Sequence, residues 1–125
     1  MTGRGMPWAR AREVGERGEA LACAHLEGLG WEVVGRNWRC PQGELDVVAS
    51  EEGLLVFCEV KTRRSTRFGT PLEAVDGQKA RRLRRLAWAW LDEHGRSGES
   101  FRIDVLGVLC VAGAAPQIQH AQGVA

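Results

Sequence analysis

With 125 residues, 44% of them hydrophobic and 26% charged, the chain has the make-up of one soluble globular domain able to bury a core. No run approaches the roughly 18–20 apolar residues of a membrane span, and Met1–Ala22 holds no apolar segment of the kind that directs export, so the cytoplasm is the expected compartment. The formal net charge of +1 favours no class of partner, but the charge is unevenly spread.

Residues 1–9 are Gly-rich and polar and read as a loose arm before a single domain spanning 10–125. Arg10–Leu29 reads as the first helix, because Val14, Gly18, Leu21, Ala22, His25, Leu26 and Leu29 recur at three- and four-residue steps. Gly15 and Gly18 each lower helix propensity by about 1 kcal/mol, which points to close packing on a sheet. Gly30 is the expected C-cap. Glu19 lies beside the apolar stripe, off the fully solvated face. His25 reads as a packed or partly exposed helix residue rather than a ligand, and His94 and His120 have no sequence neighbours that suggest chemistry. Trp31–Arg39 reads as a strand, and Cys40–Gly43 as the turn that follows it.

Two strand-like runs come next, Leu45–Ala49 and Leu54–Val60, on either side of Ser50-Glu51-Glu52-Gly53. Apolar runs punctuated by glycine predict an antiparallel hairpin. With a loop of two residues (Glu52-Gly53) or four (Glu51–Leu54), residues whose numbers sum to 105 face one another. Asp46 then lies opposite Glu59, and period-2 alternation puts Lys61 on the Glu59 face. Directly opposed like charges destabilise a sheet, so two carboxylates need a reason to stay ionised there. A hard divalent cation such as Mg²⁺, held by one or two carboxylates, supplies one. The plainer reading is an interstrand salt bridge from Lys61 to Glu59 or Asp46. An acid cluster without metal would also make Glu59→Gln stabilising. Glu44 shares the Asp46 face under strict alternation and reads as an exposed strand-start residue.

Beyond the hairpin the charge turns basic. Lys61, Arg63, Arg64, Arg67, Lys79, Arg81, Arg82, Arg84 and Arg85 are opposed over that span by Glu73 and Asp76 alone. Such clustering is the electrostatic footprint of a nucleic-acid partner, or else a solvated helix face. Thr62–Gly69 reads as a basic loop, Thr70–Glu73 as a capping box, and Pro71–Val75 as a helical turn. Asp76-Gly77 caps a longer helix, Gln78–His94, with Leu83, Leu86, Ala87, Trp90 and Leu91 at helical spacing and Gly95 as its stop. Trp88 and Trp90 read as core and rim packing. Phe101–Val111 is a strand whose Asp104 is expected to pair structurally with Arg102 or a loop arginine. Gln117–Val124 reads as a short edge strand. The four cysteines show no C-x-x-C spacing, so neither a zinc site nor a disulfide is expected; Cys58 and Cys110 read as small core residues.

The order is therefore α-β-β-β-α-β, an α/β fold with a mixed β-sheet flanked by helices. Several motifs then carry a resemblance: G-E-x-x-A at Gly18–Ala22, R-N-x-R at Arg36–Arg39, G-E-L-D at Gly43–Asp46, F-C-E-V-K-T-R at Phe57–Arg63, F-G at Phe68-Gly69, Lys79, and R-I-D-V at Arg102–Val105. With these the chain resembles the YraN-type family of small uncharacterised bacterial proteins, related to archaeal Holliday-junction resolvases and to PD-(D/E)xK restriction-endonuclease-like nucleases. Leu45 stands where the motif's name has proline. The resemblance implies a restriction-endonuclease-like core and a Mg²⁺- or Mn²⁺-dependent endonuclease acting on DNA, with branched or repair intermediates as substrates. By position it makes Asp46 and Glu59 the metal-binding acids, Glu19 a third acid, and Lys61 the catalytic lysine. Arg63, Arg64, Arg67 and Lys79 would contact nucleic acid. Resolvase-like relatives imply a homodimer. The alternative is a non-catalytic DNA-binding or adaptor protein with a nuclease-like fold.

Overall fold

Proline and glycine bound the first helix. In the computed structural model, which describes residues 7–64 and 76–124, α1 spans Pro7–Gly28. It starts three residues before the expected Arg10, at a proline whose fixed φ suits a first helical turn. The remaining arm, residues 1–6, lies outside the described residues, as do the Thr70–Glu73 capping box, the Pro71–Val75 turn and most of the basic loop. Gly30 takes φ +89 and closes the helix: its N–H donates to the Glu27 carbonyl, and the Trp31 N–H donates to that of Leu26 at 3.1 Å.

Five strands follow in one sheet, ordered β1-β2-β3-β4-β5. They are β1 (Glu32–Cys40), β2 (Gly43–Glu51), β3 (Leu54–Arg63), β4 (Phe101–Leu109) and β5 (Gln117–Ala121), with α2 (Gly77–Glu93) between β3 and β4. Parallel neighbours need a long crossover, so α2 makes β3 and β4 parallel while the other pairs are antiparallel. The expected α-β-β-β-α-β order holds, with β5 as the additional edge strand. No helix among the described residues is long and apolar enough to cross a membrane.

The hairpin register is as predicted. The loop is Glu52-Gly53, with φ of 51 and 92, the primed turn whose twist suits a two-residue hairpin. Pairing runs from Glu51↔Leu54 to Val47↔Cys58, every pair summing to 105. β3 runs past its predicted end at Val60 to Arg63, because β4 pairs with it as far as Arg63↔Leu109. Ladder bonds supplied by a parallel neighbour override the polarity of Lys61, Thr62 and Arg63.

Two cores sandwich the sheet. On one face Ala22, Cys23 and Leu26 of α1 pack with Trp31, Val47, Ala49, Val56, Cys58, Leu106 and Val108. On the other, Leu83, Leu86, Ala87, Trp90 and Leu91 of α2 pack with Leu45, Val48, Leu55, Phe57 and Ile103. Phe57 is the centre of that layer, edge-on to Trp90 at 5.5 Å and to Phe101 at 5.4 Å. Trp88, by contrast, is 52% exposed. Cys58 is buried as expected; Cys110 is only half-buried, whereas Cys23 joins the core.

Gly18 is where α1 meets β3. A Cβ built there would lie on Thr62 Oγ1 and within 2.9 Å of its Cβ and Cγ2. Rotating Thr62 cannot clear its own Cβ, so the backbones must separate. Gly18→Ala is therefore expected to lower stability by about 1–3 kcal/mol despite its better helix propensity, as read by urea unfolding. Restoration by a second change, Thr62→Gly, would assign the loss to this contact.

Candidate metal and phosphate site

The site forms where β2 and β3 stop pairing. Beyond Val47↔Cys58 the Val60 N–H donates to Asp46 Oδ2 at 2.8 Å instead of to a strand carbonyl. The chain also turns over here. Leu45 belongs to the α2-side core and Val47 to the α1-side core, although strict alternation would put them on one face. On β1 the residue between the pairs Arg36↔Val47 and Trp38↔Leu45 is Asn37, which takes φ +53. Asp46 thus does not sit flat across from Glu59 as strict alternation requires; it bridges the gap between the parting strands.

Burial pushes the Asp46 carboxyl up to about 6, against the bond from Val60, and the negative charges of Glu19, Glu59 and Glu44 push the same way. Glu19 on α1 is raised as well, first by burial and then by Glu44, with a hydrogen bond from Asn37 opposing the shift. Glu19 lines two clefts. One is shared with Gly15, Asn37, Arg39 and Glu44, the other with Val60, Lys61, Thr62, Arg63 and Arg64. Glu44 is itself held by Arg39 at 2.8 Å.

Glu59 is buried and faces α2. Its Oε1 lies 3.6 Å from Lys61 Nζ, 3.7 Å from Lys79 Nζ and 3.5 Å from Arg82 Nη2. Three cations therefore share one carboxylate. Burial, and then the neighbouring Lys61, hold Lys79 below the usual lysine range. The interstrand bridge from Lys61 to Glu59 that the sequence allows is present, as one spoke of this cluster. The other oxygen, Glu59 Oε2, is buried with no hydrogen-bond partner among the described residues. Such an atom is costly unless something binds it.

The structure thus brings Glu19 and Glu59 within electrostatic range of Asp46, with Lys61 and Lys79 against Glu59. Among the described residues, however, no three His, Cys, Asp or Glu side chains form a ready cage for a metal ion. The donor set still suits a hard divalent cation: oxygen ligands only, one unpartnered carboxylate oxygen, and a neighbouring carboxyl raised by burial and then by its acidic neighbours. Arg64 is exposed and lines the cleft beside Lys61, while Arg63 turns back to the Thr62 carbonyl at 3.1 Å. Arg67 lies outside the described residues. Two contributors were not singled out as site residues from the sequence, although Arg82 stood in the basic cluster and Asn37 in the R-N-x-R motif. Arg82 follows Lys79 by three residues and so shares its helix face, a signal the sequence did carry. Asn37 needed the strand-turnover geometry to be seen.

The two acids should respond in opposite ways to neutralisation. The folded-state value of Asp46 lies above its ordinary 3.8. Its ionised form therefore costs stability above about pH 6; the cost shrinks as pH falls toward 3.8 and is absent below that. Asp46→Asn is expected to gain about 1–3 kcal/mol at pH 7.5 in chelator, with the gain closing near pH 4. Glu59→Gln, contrary to the relief expected for a bare acid pair, should lose about 1–3 kcal/mol by leaving Lys61, Lys79 and Arg82 facing one another. Urea melts of the three proteins at both pH values check this. Equal stability of Asp46→Asn and wild type at pH 7.5 would dismiss the strain assigned to Asp46.

Comparison with known sequences gives the lineage. The profile of the Uncharacterised protein family UPF0102 matches residues 18–108. A UPF0102 protein of Beutenbergia cavernae is 52% identical over 116 residues, covering 92% of this chain and 98% of the relative. One of Mycolicibacterium gilvum is 50% identical over 113 residues, covering 89% and 92%. One of Streptomyces griseus subsp. griseus is 52% identical over 112 residues, covering 89% and 94%. The matched segment opens on Gly18, the glycine that admits Thr62, and takes in Glu19, Asp46, Glu59, Lys61 and Lys79. The chain therefore belongs to UPF0102, the YraN-type family.

Proposed function

We propose that this protein is a cytoplasmic Mg²⁺- or Mn²⁺-dependent endonuclease that hydrolyses DNA phosphodiesters, with branched or repair intermediates as substrates. The observation that carries the reading is one juxtaposition. Asp46 is buried and further raised by the negative charges of Glu19, Glu59 and Glu44, while directly beside it Lys61, Lys79 and Arg82 crowd one oxygen of Glu59. One half wants a cation and the other an anion. A phosphodiester bound with a divalent ion satisfies both.

Asp46 and Glu59 would hold the ion, with Glu19 beside them. A bound cation of this class polarises a phosphoryl oxygen and lowers the pKa of attacking water. Lys61 would orient that water and offset charge growing on the phosphorus oxygens. Lys79 and Arg82 would neutralise the incoming phosphate, whose charge opposes the burial and the neighbouring Lys61 that lower the Lys79 ammonium. Arg63, Arg64 and Arg67 extend the contact along the backbone, where each neutralised phosphate adds salt dependence. A second copy of the chain would supply the second cut on a four-way junction.

The lack of a ready three-ligand cage among the described residues favours a second reading, a non-catalytic DNA-binding or adaptor protein. A labelled panel (linear duplex, nicked, flap, single-stranded, four-way junction) incubated with Mg²⁺ or Mn²⁺ separates the two. The nuclease reading expects cutting that requires the ion and falls by about 10²-fold or more in Asp46→Asn and in Lys61→Ala. Tight, salt-sensitive binding that is indifferent to the ion, with no cutting of any substrate, would install the adaptor reading instead.

A further inference from the structure

A second cluster of ionisable side chains lies on the α1 side of the sheet, built from residues that are far apart in sequence. Asp104 of β4 is fully buried. Its Oδ1 accepts from Arg102 Nε at 2.8 Å and from the Gly123 N–H at 3.0 Å. Its Oδ2 accepts from Arg102 Nη2 at 3.0 Å and lies 2.8 Å from His120 Nε2. Arg102 is itself fixed, reaching Glu51 at 2.9 Å and lying 5.2 Å over the Trp31 ring. The carboxylate is thus held in place with both oxygens in use.

That arrangement sets the state of His120. An ionised carboxylate only accepts, so Nε2 of His120 carries the proton and, in the neutral ring, Nδ1 presents its lone pair. Nδ1 faces His25 Nε2, on α1, at 3.3 Å. In a tetrahedral zinc site with Zn–N bonds of 2.0–2.1 Å, two ligand nitrogens stand about 3.3–3.4 Å apart. The observed pair has that edge length. Metal-bound histidines also donate their other ring N–H to a carboxylate, which fixes tautomer and aim. His120 already does so.

We propose that His25 Nε2 and His120 Nδ1 form a two-histidine site for a borderline transition-metal ion of the Zn²⁺ type, with Asp104 orienting His120. To open the site, the His25 ring exchanges its Nε2 proton for one at Nδ1 through solvent, which frees a lone pair on each of the two facing nitrogens. Among the described residues no third His, Cys, Asp or Glu completes the group, which leaves the remaining positions to water or an anion. Imidazole nitrogens select Zn²⁺, Ni²⁺ or Cu²⁺, whereas carboxylate oxygens select Mg²⁺ or Mn²⁺. The site is therefore chemically distinct from the one at Asp46 and Glu59 and does not rest on the nuclease reading. Its ion would clip edge strand β5 to α1.

The test is titration of ZnCl₂ into the full chain in a non-chelating buffer at pH 7.5, followed by calorimetry and by long-range ¹H–¹⁵N spectra of the imidazoles. With Mg²⁺ in excess to occupy the Asp46 and Glu59 site, the expectation is one Zn²⁺ per chain. His25 Nε2 and His120 Nδ1 should shift on binding, while the His120 Nε2–H is retained. His25→Ala should weaken binding by about tenfold or more, and Asp46→Asn should leave it unchanged. His120→Ala exposes the buried Asp104 and can fail to fold, so the half-exposed His25 is the deciding position. Affinity unaltered by His25→Ala would overturn the proposal. Imidazole resonances that stay put at saturating Zn²⁺ would do the same, by leaving only a histidine–histidine hydrogen bond, as would binding lost in Asp46→Asn.

Discussion

The hydrogen bond from the Val60 N–H to the Asp46 carboxylate takes the place of a rung in the β2–β3 ladder. A buried backbone donor must find an acceptor, and by providing one from a side chain the fold lets the two strands separate without orphaning the amide. The separation makes room for Asp46 and leaves Glu59 and Lys61 on the α2 side of the sheet, where Lys79 and Arg82 reach them. The ribbon turns over at the same level, with Asn37 in a left-handed conformation across from it. One replaced rung thus accounts for both the opening and its lining.

Neither half of that lining is arranged for stability. A carboxyl lifted by burial and by three acidic neighbours is an ionised group under tension. A buried carboxylate oxygen lacking a partner is another uncompensated cost. Three cations on a single carboxylate invert the same problem with the opposite sign. Proteins hold such local conflicts where a ligand resolves them, and the two apolar layers above and below the sheet supply the stability that the site gives up.

Much of this could be read from the chain because local rules happened to agree. Glu52-Gly53 admits a two-residue turn, the turn fixes the register, and the register brings Asp46 to the level of Glu59. Gly18 marked the close approach of helix and strand before any contact was visible, whereas Gly15, read the same way, has nothing within 4 Å of an added Cβ. Other features depended on partners that are distant in sequence. β3 continues to Arg63 because β4 lies beside it, a fact no property of residues 61–63 encodes. The turnover at Asp46 breaks the alternation on which a same-face argument relies. His25, Asp104 and His120 each look ordinary alone, since 95 residues separate the two histidines, and only the sheet order joins them.

The tight turn at Glu52-Gly53 has a practical use. It stands at the far end of the ladder from Asp46, five residues along β2 from Glu51, or about 17 Å at the usual rise of a strand. Both turn residues are exposed, and a Cβ added at Gly53 meets nothing within 4 Å, although its φ of +92 makes Glu52 the easier of the two to replace. A fluorophore carried on a cysteine at position 52 would sit rigidly on the same hairpin as the carboxylates without touching them. Energy transfer to a dye on an oligonucleotide would then test whether a nucleic acid approaches the sheet and from which side, with a fixed ruler built into the fold.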